Sequence, residues 1–253
     1  MAANIISGKI VKGIGGFYYI DAEDGVLYEC KAKGIFRNKK IKPLVGDNVN
    51  IEILDAENNL GNIVEILPRF NSLIRPAVAN VDQTIIIFAV SEPEPNFNLL
   101  DRFLVSMEKS GVKTVICFNK LDLSAENMDV CRSYGKSGYR TLFISAKNDE
   151  GIDELKEIIR DKTTVFAGPS GVGKSSTLNA IKPDAEAQTG AVSDKIKRGK
   201  HTTRHSELMH ISGNTYIMDT PGFSSLYVDS IEPDDLKEYF PDIAVYTGQC
   251  RFN

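Results

Sequence analysis

Residues 168–176 read Gly168-Pro169-Ser170-Gly171-Val172-Gly173-Lys174-Ser175-Ser176, and the GxxxxGK[ST] pattern inside this stretch decides the fold. A short apolar strand candidate, Thr164–Ala167, precedes it. A helical pattern, Lys174–Ile181, follows and ends before Pro183. The glycines let backbone N–H groups turn inward around anionic oxygens at a helix N-terminus. Lys174 is then placed to reach β- and γ-phosphates, and the Ser175 hydroxyl to hold Mg²⁺. Four fixed positions arise by accident in roughly one chain per hundred of this size, and the strand–loop–helix context lowers that further.

Outward from this loop, apolar strands alternate with amphipathic helices. Strand candidates are Thr84–Val90, Thr114–Phe118, Thr141–Ile144 and Thr215–Met218, of the type buried on both faces. Leu99–Lys109, Ser124–Tyr134 and Ile152–Arg160 carry apolar residues at helical spacing, with Ser124 as N-cap and Asn127 at the capping-box position. The alternation predicts an α/β domain with a mostly parallel sheet. Three strand ends carry further polar motifs. Asn119-Lys120-Leu121-Asp122 fits the base-reading NKxD pattern, in which a carboxylate accepts both the ring N–H and the exocyclic amine of guanine. Adenine offers no such donor pair and would leave a buried charge unpaired. Ser145-Ala146-Lys147 fits the supporting SAK element, and Asp219-Thr220-Pro221-Gly222 fits DxxG. Each alone is an ordinary turn; joint chance occurrence is negligible. Their order is permuted, NKxD and SAK preceding the phosphate loop and DxxG coming last. The site needs loops at the carboxyl ends of the strands, in whatever order the chain enters them.

The first 70 residues read differently. Ile5–Val11, Phe17–Ile20, Val26–Ala32, Asn48–Leu54 and Gly61–Leu67 are short strands separated by turn signals. Five such strands suit a small closed barrel, an OB-fold being one candidate and other small β-barrels fitting almost as well. Over residues 1–75 there are 10 basic and 9 acidic side chains, yet Lys31, Lys33, Arg37, Lys39, Lys40 and Lys42 cluster in one loop with Phe36. Such a loop suits RNA backbone contact with some stacking. The stretch Lys195–His205 is similarly basic. The reading divides the chain into a barrel over 1–70, an α/β domain over 71–228 and the beginning of a helical region over 229–253, with a helix at Pro233–Phe240.

Composition bounds the rest. The 253 residues are 42% hydrophobic and 25% charged, ordinary for a globular chain, so wholesale disorder is excluded. With 30 basic and 34 acidic side chains, the net charge of −4 excludes a generally basic coat but permits local patches. No apolar run approaches the ~20 residues needed to span a bilayer, and the start lacks a secretory signal, which predicts a soluble, unexported, cytoplasmic chain. Cys30, Cys117, Cys131 and Cys250 lack CxxC spacing and read as reduced thiols.

The sequence resembles the RsgA/YjeQ family of circularly permuted, ribosome small-subunit-dependent GTPases. The resemblance covers essentially the whole chain and rests on NKLD at 119–122, SAK at 145–147, GPSGVGKSS at 168–176, GKHTT at 199–203 and DTPGF at 219–223, with RFNSLIRP at 69–76 and Ala79-Asn80-Val81-Asp82 also similar. It implies a GTP hydrolase (GTP and GDP with Mg²⁺) that binds the 30S ribosomal subunit and its rRNA late in maturation, beside other assembly factors. Turnover would be slow alone and faster on the particle; a monomer without membrane association is expected. The nucleotide residues it implies are Asn119, Lys120, Asp122, Ser145, Ala146, Lys147, Gly168 through Ser176, Asp219 and Gly222. Magnesium falls to Ser175, Asp219 and either Thr202 or Thr203. Phe223 occupies the place of a water-orienting glutamine, and a phenyl ring cannot orient water; His201 matches the switch histidine to which the family's activity is attributed. Family members also hold zinc with three cysteines and one histidine. Cys250 matches the first ligand and the chain stops before the other three, so it reads as truncated there and zinc is doubtful for it. Two other classes compete: a small-molecule kinase or other P-loop transferase, which has no use for NKxD, and a non-hydrolysing RNA-binding module, against which intact Lys174, Ser175 and Asp219 argue.

Overall fold

The structure, a computed structural model, describes residues 4–34, 36, 41–74, 76–123, 126–183, 207–220, 231–232 and 234–246. The chain divides into two compact units, Met1–Val81 with Gly199–Met218 and Asp82–Arg198 with Asp219–Asn253.

In the first unit, β1 (Ile5–Ile14), β2 (Phe17–Ala22), β3 (Leu27–Ala32), β4 (Asn48–Asp55) and β5 (Leu60–Ile66) close into a barrel in the order β1-β2-β3-β5-β4. Alternation supplies its filling: Ile10, Ile20, Tyr28, Cys30, Val49, Ile51 and Ile63 point inward and are buried, each contributing about 1.5–3 kcal/mol of hydrophobic free energy if large. β3 and β5 pair in parallel, the remaining neighbours antiparallel. β1 runs three residues past the expected Val11, because the break falls at Gly15-Gly16, whose positive φ values of 60° and 89° form a tight two-residue hairpin turn pairing Ile14 with Phe17. Arg69, Asn71, Asn80 and Val81, beyond the barrel strands, are bonded into this unit. Buried Asp47 accepts from Arg69 Nε at 2.6 Å, the Asn71 side chain bonds both backbone groups of Val81, and Asn80 Nδ2 donates to Gly46 O. β6 (Ser72–Leu73) pairs there with β7 (Val78–Ala79).

In the second unit, β8 (Gln83–Ala89), β9 (Lys113–Asn119), β10 (Arg140–Phe143) and β11 (Thr163–Ala167) lie parallel in the order β10-β9-β8-β11. Their connections are α1 (Phe97–Lys109), α2 (Met128–Ser133) and α3 (Ile152–Ile159), with α4 (Lys174–Ile181) after β11. β8 is buried along its whole length, as its uninterrupted apolar run requires. Phe88, Leu100, Phe103, Ile116 and Phe118 form the core beneath α1, whose N-cap Asn96 accepts from Leu99 N at 3.0 Å.

Two helical expectations are corrected. The helix expected over Ser124–Tyr134 is only Met128–Ser133; Ser124 lies outside the described residues, and the Asn127 side chain donates to Glu94 instead of capping. The expected helix Pro233–Phe240 is a short 3₁₀ turn, Leu236–Tyr239, followed by α5 (Pro241–Ala244). Phe240 sits at φ −116°, ψ 104° because the ring of Pro241 bars it from the helical region. A hairpin pairs β12 (Met209–Ser212) antiparallel with β13 (Thr215–Asp219); the sequence pattern does not announce β12 as a strand.

Candidate nucleotide site

Each predicted loop of the second unit leaves the carboxyl end of a parallel strand. Asn119 closes β9, Ser145 follows β10, and Gly168 follows β11. The phosphate-loop glycines are needed where they stand. Gly168 adopts φ +141°, and a Cβ there would lie 2.1 Å from the Ile87 carbonyl oxygen. Gly173, at φ +93°, precedes α4, and its Cβ would meet Asn119 Nδ2 at 2.3 Å. Only a residue without a side chain permits both approaches.

Asn119 ties two motifs together. Its Nδ2 donates to Val172 O at 2.9 Å and its Oδ1 accepts from Ala146 N at 3.1 Å, so one buried amide joins residues 119, 146 and 172. Next to it, Asp122 Oδ1 accepts from Ser145 Oγ at 2.7 Å, and Lys147 Nζ lies 3.6 Å from Oδ2. The Ser145 hydroxyl, foremost, and Lys147 hold the Asp122 carboxyl below the usual carboxylate range, so it is an acceptor at neutral pH. Lys120, at positive φ, donates from Nζ to Glu92 O.

Lys174 is 7% exposed, its Nζ donating to Gly168 O at 3.0 Å and Pro169 O at 2.7 Å. Burial pushes its pKa down, and the charge of Asp219 partly offsets this. Ser175 Oγ lies 3.4 Å from Asp219 Oδ2. Asp219 is held there by the next residue, since Thr220 donates both N–H and Oγ1–H to Phe166 O. Ser170, Gly171 and Ser176 are exposed at the loop. Two hard oxygen donors beside a buried ammonium at a helix N-terminus form a donor set that fits Mg²⁺ and phosphate. Gly222, His201, Thr202, Thr203 and Phe223 lie outside the described residues.

On the barrel, a groove of ≈ 680 Å³ is lined by residues including Phe17, Tyr18, Lys31, Lys33 and Lys42. Phe36, expected to stack on RNA, is 7% exposed and belongs to the barrel core. Phe17 faces outward, with Lys31 Nζ 4.9 Å from its ring centroid. Lys33 pairs with Glu52 at 2.6 Å; Arg37, Lys39 and Lys40 lie outside the described residues. Cys250 also lies outside them, and no group of three or more His, Cys, Asp or Glu is placed to hold a metal among the described residues. Cys30, Cys117 and Cys131 are buried, unpaired thiols, and burial pushes Cys30 up to about 12 and Cys131 up to about 11.

Comparison with known proteins agrees with this geometry. Residues 66–229 match the family model described as RsgA GTPase, and residues 7–63 match the RsgA N-terminal domain. A small ribosomal subunit biogenesis GTPase RsgA of Agathobacter rectalis is 53% identical, covering 98% of this chain and 86% of that protein. The protein of the same name from Alkaliphilus metalliredigens is 49% identical over 97% of this chain and 84% of its own length. Among solved structures, YjeQ from Thermotoga maritima aligns with a TM-score of 0.79 at 36% identity, over 98% of this chain and 85% of that one. YloQ, a circularly permuted GTPase, aligns with a TM-score of 0.77 at 37% identity, over 99% and 83%.

Proposed function

We infer the function from one premise: the chain belongs to the RsgA GTPase family. It is a circularly permuted GTPase of small-ribosomal-subunit biogenesis. The finer assignments are our reading. Asp122 reads the guanine edge, Ala146 supports the base, Lys174 and the backbone of 168–175 hold the phosphates, and Gly222 senses the γ-phosphate. The observation that carries this reading is Asn119, whose one amide binds both Val172 and Ala146 and so makes base loop and phosphate loop a single framework.

Ser175 and Asp219 would hold Mg²⁺, joined by Thr202 or Thr203; the ion supplies charge neutralisation between phosphate oxygens. The chain's own contribution is positional. Lys174, kept dry by its neighbours, offers a strong point charge to an incoming phosphate. With Phe223 unable to orient water, His201 is the group we assign to that task, and slow turnover of the protein alone follows. Stimulation by the 30S particle supplies the missing order.

The working domain division is a barrel over 1–70, the GTPase over 71–228 and a further region over 229–253. Lys31, Lys33, Arg37, Lys39, Lys40 and Lys42, with Phe17 in the stacking role, give the barrel its rRNA contacts. The protein works in the cytoplasm as a monomer beside other assembly factors.

GTP and ATP hydrolysis measured with and without purified 30S subunits tests this function. GTP should turn over slowly alone and faster with subunits, ATP in neither case, and His201→Ala should abolish turnover while sparing GTP binding. Equal use of ATP would point to a different P-loop transferase.

A further inference from the structure

The strand order β9-β8-β11 places the loop after β8, residues 90–96, between the base loop of β9 and the phosphate loop of β11. None of the nucleotide motifs falls on it. It reads Val90-Ser91-Glu92-Pro93-Glu94-Pro95-Asn96. Each proline ring fixes its own φ and restricts the residue before it, so this run is stiff and has little conformational entropy to lose.

Both ends of the loop are held. Val90 N donates to Asn119 O at 2.9 Å, and Asn96 caps α1 through Leu99 N. Between the ends, two ties run to the base loop and the turn that follows it. Lys120 donates from Nζ to the Glu92 carbonyl, and Asn127 donates from Nδ2 to Glu94 Oε2. Glu92 and Lys120 stand at φ 48° and 69°, left-handed values that residues with a side chain keep only where their surroundings fix them. On the opposite side the Pro93 ring borders the phosphate loop, its Cδ 3.7 Å from where a Cβ on Gly171 would sit. Behind the loop, Phe97 stacks on Tyr134 at 5.8 Å between centroids, so the start of α1 packs on the residue that ends α2.

Asn127 occupies the N-cap position of α2, where an asparagine ordinarily bonds a backbone N–H of the first turn. No such bond forms here; the amide is spent on Glu94 instead. A nucleotide with its base at Asp122 and its phosphates at Lys174 lays its ribose and α-phosphate between the base and phosphate loops, the span that residues 91–95 border.

We propose that residues 91–95 form a clasp along the ribose–diphosphate side of the site, and that Glu94 and Asn127 are positioning residues that slow the departure of guanosine diphosphate. Asn127 holds Glu94, the stiff proline run passes that restraint to Pro93, and Pro93 with the Lys120 side chain lines the exit. Glu92 and Glu94 carry the same sign of charge as the ligand, which opposes retention. Both are exposed, so solvent and salt screen that repulsion and the hydrogen-bonded tie prevails.

The proposal rests on the nucleotide assignment above, and its test separates the two. Radiolabelled GDP, bound with Mg²⁺, is chased with excess unlabelled GDP. Glu94→Ala and Asn127→Ala should each release it roughly fivefold faster, the worth of one hydrogen bond to a charged group at an exposed site. Association rate should stay within about twofold, and the preference for GDP over ADP should not change. Glu94→Gln, whose amide oxygen still accepts from Asn127, should release GDP within about twofold of the natural rate, and the double alanine variant no faster than either single one. Unchanged release in both alanine variants overturns the proposal. So does slower release in Glu94→Ala, which would make charge repulsion the larger effect, or release from Glu94→Gln as fast as from Glu94→Ala. A second measurement needs no variant: backbone amides of residues 90–97 should exchange hydrogen more slowly once GDP and Mg²⁺ are bound, and no change at saturating GDP overturns the clasp. A natural protein that binds no GDP defeats the nucleotide assignment and the clasp together; GDP bound, with release indifferent to Glu94 and Asn127, defeats the clasp alone.

Discussion

Asp122 carries the specificity claim at the scale of one residue. Its carboxylate, ionised by the Ser145 hydroxyl and Lys147, can accept two guanine N–H groups at once. Asparagine in its place accepts one and donates the other, which matches xanthine, whose 2-position is a carbonyl. Asp122→Asn should weaken GDP roughly 100-fold, the worth of about two charge-assisted hydrogen bonds, and strengthen xanthosine diphosphate; competition binding checks both. Lys174 carries a pH prediction. Burial lowers its pKa, so between that depressed value and the ordinary one the unfolded chain holds more protons and stability rises with pH. A bound triphosphate restores the proton. GTP affinity should therefore fall as pH climbs through the depressed value, with proton uptake on binding in alkaline buffer. Calorimetry in two buffers of different ionisation enthalpy measures that uptake, and none at all would contradict the electrostatic role.

At the scale of elements, the phosphate loop is a strand end and a helix start held apart by glycines with different duties. Gly168 answers a close approach, since its Cβ would overlap the Ile87 carbonyl; Gly171 faces open space except for Pro93 at 3.7 Å, and answers only its φ of +80°. Gly168→Ala should cost about 2–4 kcal/mol and Gly171→Ala about 1–2 kcal/mol, read from urea unfolding. Equal costs would mean the Ile87 contact does not matter. Buried strands and α1 were legible because apolar runs and caps are local signals. β12 was not, since His210 and Ser212 alternate with partly buried positions and its seat comes from Val11, nearly 200 residues earlier in the chain. Phe36 turned inward for the same reason: barrel closure, a tertiary event, decides which ring faces in. The Arg69–Asp47 pair was not legible because nothing near Arg69 in sequence announces buried Asp47.

For the whole molecule, permutation reorders the chain while leaving the loops at the strand ends. The motifs single out the loops proposed to bind nucleotide, yet the joint made by Asn119 was invisible in them: NKxD suggests an interaction with ligand, whereas this asparagine spends its amide on Val172 and Ala146. On the proposed reading, that joint lets distant segments answer one ligand together.

Per-residue NMR during a GDP titration with Mg²⁺ tests this most directly. Backbone signals of residues 119–122, 145–147 and 168–175 should shift with one common dissociation constant. Shifts confined to 168–175, with the other two loops silent at saturation, would contradict it.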